Sequence, residues 1–174
     1  MIVDPQTLGA EESYKLLTGV VVPRPIAWVT TLNRVGTVNL APFSAFTFVS
    51  PKPPMIGISI GRKGDIYKDT ARNILAREEF VVNIADQDLT ALVHASSKEM
   101  PEDVSECEAL GIETAPSQVI ATPYVAAAPV AASAATATPA AATTIAVAVL
   151  RAGEGFLAFF GVFAFLVTEF FRRC

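Results

Sequence analysis

The sequence is poor in the side chains that most enzymes use to move protons or hold metals. Its 174 residues include one histidine, His94, one tryptophan, Trp28, and two cysteines, Cys107 and Cys174. A single histidine rules out a His-based metal cluster, and any His-dependent triad would have to run through that residue. The cysteines lie far apart and match no metal-ligand spacing, so neither a metal site nor a structural disulfide is expected. A reduced, cytoplasmic setting is the default. Charge is also scarce, and the balance of -4 with a pI near 5.0 excludes the basic stripe that nucleic acid would need. Neither a GxGxxG nor a GxxxxGK[ST] motif occurs, which removes the usual signature of a doubly wound nucleotide-binding sheet. The start, MIVDPQTLGAEESYKLL, carries acidic residues and no long apolar core, unlike a secretory signal.

Charge is missing altogether between Thr114 and Leu150, where alanine dominates. A phenylalanine-dense run follows, whose uncharged core Gly155 to Thr168 falls short of the roughly 20 residues a membrane span requires. The chain is long enough for one domain with a sizeable core.

What is present reads mainly as strands. Ser13 to Gly19 is expected to be a short helix with a serine cap and a terminal glycine. Arg24 to Leu32 has strand composition, Asn33 to Gly36 (NRVG) is a turn, and TVNLAPFSAFTFVS is the return strand. Pro42 sits early in that strand, and a proline belongs on an edge or at a bulge, so the strand is expected to bend there. Pro53 to Gly61 and Glu79 to Ala85 are further strands, separated by a helix that Asp69 or Thr70 would cap. ALVHASS is ambiguous, and Val104 to Gly111 reads as a helix capped by Ser105. TIAVAVL and FFGVFAFLV also read as strands. The order strand, hairpin, strand, helix, strand, with a single short helix between the strands, points to an antiparallel barrel with appended helices.

Two stretches suggest chemistry. KDTARN, Lys68 to Asn73, opens a helix, and a helix N-terminus beside a lysine attracts phosphate. The plainer reading is a capped helix with solvated bases. NLAPFSAF, Asn39 to Phe46, offers backbone groups, polar Asn39 and Ser44, and an apolar wall of Phe43 and Phe46, which together suit a planar heteroaromatic ligand. The plainer reading is a barrel strand with its phenylalanines in the core.

RPIAWVTTLNRVGTVNLAPFSAFTFVSPKPP, then KDTARNI, EFVVNIA, VSECEALGIETAPS and PYVAAAPVA, closely resemble the flavin reductase-like, FMN-binding split-barrel family. The resemblance covers about residues 10 to 131 in unbroken order, and residues 132–174 depart from it. Either that tail is divergent, or from about Ala126 onward alanine and phenylalanine stand for other residues. Its near-absence of charge favours the second, and an intact-chain mass compared with 18.4 kDa separates the two.

The resemblance implies a mainly β antiparallel split barrel with short helices, forming one domain over residues 1–174. It implies that Thr30, Thr31, Asn39, Ala41, Pro42, Phe43 and Ser44 line the flavin. Ser50, Lys68, Asp69 and Thr70 would lie toward the FMN phosphate, and Asn73 would be the asparagine on that helix. It further implies a homodimer in which hydride passes from NADH or NADPH to FMN and on to an acceptor, with a monooxygenase among the candidate partners. The cofactor then carries the chemistry, which suits a chain with one histidine. His94 reads first as a surface or loop residue and second as a group near a nicotinamide. Trp28 reads as core, and Cys107, between acidic neighbours, as an unreactive thiol. A non-enzymatic FMN electron carrier and a membrane-associated module anchored by the tail are the competing functions.

Overall fold

A computed structural model describes residues 3–4, 7–52, 54–63, 65–136 and 146–150. The expected tail strand FFGVFAFLV and Cys174 lie outside the described residues. The strands are β1 (Ala27–Leu32), β2 (Val38–Phe43), β3 (Phe46–Pro51), β4 (Pro54–Ile58), β5 (Arg62–Lys63), β6 (Ile66–Tyr67), β7 (Glu79–Ile84), β8 (Thr114–Ala115), β9 (Tyr124–Val125), β10 (Val130–Thr136) and β11 (Ala146–Leu150). The helices are α1 (Ala10–Val20), α2 (Asp69–Arg77), α3 (Thr90–Ala95) and α4 (Glu106–Ala109).

Seven strands form one antiparallel sheet in the order β2-β1-β7-β10-β11-β4-β3. Its two edge strands are consecutive in the chain, joined through Ser44 and Ala45 alone. Six strand spacings across a flat sheet would need about 29 Å, whereas three Cα steps reach about 11 Å. The sheet must therefore curl until its edges meet. β2 and β3 do not pair, so the barrel stays split along that seam.

The expected single return strand is thus two, and the break falls at Ser44–Ala45 rather than at Pro42. Pro42 pairs with Trp28 in an uninterrupted β1–β2 register. Leu40, two residues earlier, sends its N–H away from β1, to the Glu106 side chain. Ladder alternation places the Pro42 nitrogen on that same outer side, where a missing N–H costs the ladder nothing.

Period-two alternation divides the sheet into two cores. Ala27 and Val29 face the barrel interior with Ile56, Ile58, Phe80, Val82 and Ala134, joined by Ala71 and Ile74 of α2. Trp28 and Leu40 face outward onto a second cluster with Leu89, Cys107, Ile112 and Val125. The outer polar groups are satisfied too: Trp28 Nε1 donates to Ser96 Oγ at 2.8 Å.

The helix boundaries bring further corrections. The first helix is capped by Gly9, whose N–H donates to the Glu12 carboxylate at 2.9 Å, so Ser13 and Gly19 lie inside it. Arg24 is not strand; its guanidinium donates to Thr18 O and Val21 O and satisfies carbonyls at the end of α1. ALVHASS resolves as α3 and the turn after it. Ser105 caps α4 as expected, its Oγ accepting from Glu108 N, and Gly111 follows the helix with a φ of +65° that favours glycine. No helix among the described residues is long and apolar enough to cross a membrane.

Candidate functional site

α2 lies against β1 and β2 and brings four of the sequence-predicted residues into one hydrogen-bonded cluster. Thr31 and Asn39 are register partners on the interior face. Thr70 and Asn73 are three residues apart on α2, hence on one helix face. Asn39 Nδ2 donates to Thr70 Oγ1 at 3.0 Å and to Thr31 Oγ1 at 3.3 Å, and Asn73 Nδ2 donates to Thr31 Oγ1 at 3.1 Å. Thr31, Thr70 and Asn73 are buried, while Asn39 is half-buried. These bonds occupy the Asn39 amide as a donor and leave its carbonyl oxygen as an acceptor.

The first turn of α2 adjoins this cluster. Lys68, not Asp69 or Thr70, is the cap residue, in extended conformation and without a side-chain capping bond. The reason is that both expected caps are engaged elsewhere. Thr70 is bound to Asn39, and the Asp69 carboxylate pairs with Arg72. The backbone N–H groups of residues 69–71 precede the first intrahelical bond, from Arg72 N to Lys68 O, so among the described residues the turn keeps donors without a partner, next to the exposed Lys68. The surrounding charges are paired in solvent-accessible positions: Lys63 with Glu99 at 2.6 Å and Arg72 with Glu102 at 2.9 Å. Such pairs contribute little and are cheaply exchanged for a better anion. A cavity of about 250 Å³, lined by Arg34, Arg72, Asn73, Ala76 and Glu102, opens beside the helix.

The other predicted residues are placed differently. Thr30 is buried on the opposite face, where Oγ1 donates to Pro123 O at 2.7 Å and accepts from Asn83 Nδ2 at 3.3 Å. It does not join the cluster, because adjacent strand residues point to opposite faces. Ala41 and Phe43 continue the Asn39 face along β2, and Phe43 and Phe46 pack against the interior core. Pro42 lies on the outer face, and Ser44 sits half-buried in the bend between the sheet edges. Ser50 is on β3, its Oγ accepting from Lys52 N at 3.2 Å, outside the cluster. His94 is exposed on α3. The Cys107 thiol is pushed up to about 12, first by burial and then by the neighbouring Glu106 charge, so it stays protonated and unreactive near neutrality.

Two buried polar residues on the sheet's outer side were not singled out from the sequence. Asn83 bridges β1, β7 and the strand at Val125. Glu106 is 8% exposed and accepts from Leu40 N at 2.9 Å; burial raises its pKa above the ordinary carboxylate range. Asn83 is marked only by its place in an apolar stretch (VVNIA), and Glu106, in SECEAL, carries no such signal.

The cluster and the uncapped turn fit a flavin that carries a phosphate, in two respects. The turn presents N–H donors and a lysine to a phosphate, and the interior face presents Asn39, Ala41 and Phe43 along one edge of the sheet.

A family model described as the flavin reductase like domain matches residues 19–156. A Halalkalibacterium halodurans protein, BH2278, is 46% identical over 127 residues, covering 72% of this chain and 61% of its own length. The chain spans about three-fifths of the length of the curated relatives it matches. Pseudomonas fluorescens 2-nitrobenzoate 2-nitroreductase NbaA superposes with a TM-score of 0.77 at 32% identity, over 87% of this chain and 75% of the other. Component B of nitrilotriacetate monooxygenase from Bacillus cereus gives 0.76 at 32%, over 86% and 76%.

Proposed function

The chain belongs to the flavin reductase-like family, and from that premise we propose that it is an FMN-binding oxidoreductase that takes hydride from NADH or NADPH and delivers electrons to an acceptor. The observation that carries this reading is the cluster of Thr31, Asn39, Thr70 and Asn73 beside the uncapped start of α2. A flavin bound there would supply the hydride and electron transfer. The protein's own part is to bind and orient. Lys68 and the first-turn N–H groups hold the phosphate, the Asn39 carbonyl oxygen is an acceptor for the ring system, and Phe43 supplies apolar wall. Burial of Thr31 and Thr70 keeps their hydroxyls fixed and water away from them.

The names of the similar structures, a nitroreductase and a monooxygenase component, support a redox role and leave two acceptor classes in play, a nitroaromatic and a partner oxygenase. A homodimer in the cytoplasm is part of the same proposal. It is supported by the exposed apolar side chains Tyr14, Leu17 and Val20 on α1 and Phe48 on the edge strand β3. Sedimentation at twice 18.4 kDa is expected, and a monomer at high micromolar concentration would remove the dimer.

The reading is tested by the visible spectrum of the desalted protein titrated with FMN and then, without oxygen, with NADH. A perturbed flavin spectrum that bleaches promptly is the expected result. Flavin that binds but stays oxidised with both nicotinamides would indicate an electron carrier instead, and no binding would confine the likeness to the fold.

A further inference from the structure

β2 is an edge strand, and the outward N–H groups of an edge are ordinarily left to water. At Leu40 this does not happen. The Leu40 amide is buried and donates to Glu106 Oε2 at 2.9 Å. The acceptor comes from α4, which packs on β2 and is itself fixed by Ser105 at its cap. Keeping a carboxylate there is costly, since burial disfavours its charge and the Asp69 charge adds to the penalty. A water molecule would satisfy one N–H for less, without tying it to α4.

What Glu106 gains is control of its neighbour. The Leu40 N–H and the Asn39 carbonyl belong to one rigid peptide plane. With Asn39 paired to Thr31 in the β1–β2 register, holding that plane restrains ψ of Asn39 and with it the direction in which the Asn39 side chain leaves the strand. Asn39 is the residue that ties Thr31 on β1 to Thr70 on α2. Leu40 and Glu106 therefore stand on the far side of the same backbone link from the cluster.

We propose that Glu106 is a positioning residue for the flavin site, acting through the Leu40 peptide to aim the Asn39 amide at Thr31 and Thr70. The structural part stands on the contacts above; its consequence for flavin rests on the function proposed in the preceding subsection. Glu106→Ala removes the acceptor. Glu106→Asp retains the charge but withdraws the acceptor by one methylene, and Glu106→Gln removes the charge while retaining an oxygen at the same reach.

The test combines NMR of the flavin-free protein, reading the Asn39 side-chain amide signals and Leu40 amide exchange, with FMN titration. In Glu106→Ala and Glu106→Asp the Asn39 signals are expected to shift, Leu40 exchange to accelerate at least tenfold, and the FMN Kd to rise about tenfold. Glu106→Gln is expected to restore all three, a rescue that a role resting on charge would not give. Unchanged Asn39 signals in Glu106→Asp, or equal damage in Glu106→Gln, would overturn the proposal. If Glu106→Ala does not fold, the Asp and Gln variants carry the comparison. Failure of the wild type to bind FMN would refute the flavin reading, and the Asn39 and Leu40 signals would still decide the positioning role.

Discussion

Replacing Lys68 with Ala and Thr70 with Val is expected to weaken FMN binding about 100-fold, from one charge-assisted contact and one hydroxyl contact worth about tenfold each. Lys68 is exposed and makes no capping bond, so its loss leaves folding nearly unchanged. Thr70 is 2% exposed and accepts from Asn39, so Val is chosen to retain its shape while removing the hydroxyl. Riboflavin, which lacks the phosphate, supplies the control. If the start of α2 holds phosphate, the Lys68 replacement alone should lower FMN affinity and leave riboflavin affinity unchanged. The Thr70 replacement should lower both, because it also loosens Asn39. An FMN Kd that stays within threefold of wild type in the double variant would remove the phosphate assignment. Raising the salt concentration should weaken FMN binding in the wild type and much less in the Lys68 variant, since screening acts on the charge that the variant lacks.

Much of this fold is legible in the sequence, and the departures have physical causes. The NRVG turn was legible because Gly36 adopts φ +95° and Asn33 Oδ1 accepts from Val35 N and Thr37 N, as turn chemistry favours. The strands followed from composition and alternation. Thr30 stands apart from the cluster because adjacent strand residues send their side chains to opposite faces, so Thr30 and Thr31 cannot both contribute hydroxyls to it. The cap of α2 was misread because capping preference assumes free side chains, and here tertiary partners had claimed Asp69 and Thr70. Pro42 reads as a break in the sequence, and the strand runs through it because its outward side is set by register, which depends on where β1 pairs. Ser50 and Glu106 illustrate opposite limits. A serine at a strand end has a nearby backbone partner that needs no ligand, whereas a glutamate in a short helix gives no hint that a distant edge strand will bury it.

Asn83→Ala is expected to lower stability by about 2–4 kcal/mol, enough for a fall in Tm of roughly 10 °C in a chain of this size. Asn83 is fully buried and spends every group it has: Nδ2 donates to Trp28 O at 2.9 Å and Thr30 Oγ1 at 3.3 Å, while Oδ1 accepts from Val125 N at 2.8 Å. Alanine leaves the buried Val125 N–H without an acceptor and opens a cavity between β1, β7 and β9. Water cannot easily repair the loss, because Trp28, Thr30 and Val125 are themselves fully buried. The same variant makes a sharp statement about function. Asn83 faces the outer core, and the Thr31–Asn39–Thr70–Asn73 cluster lies on the other side of the sheet. FMN affinity measured well below the lowered Tm should therefore stay within threefold of wild type, the reverse of the Lys68 and Thr70 pair. Urea unfolding followed by fluorescence of Trp28 gives the first quantity, since no other tryptophan contributes. A loss of less than about 1 kcal/mol would mean that the Val125 N–H finds another partner. A large loss of FMN affinity in protein that remains folded would mean that the two faces of β1 are coupled, and that the outer polar network belongs to the site after all.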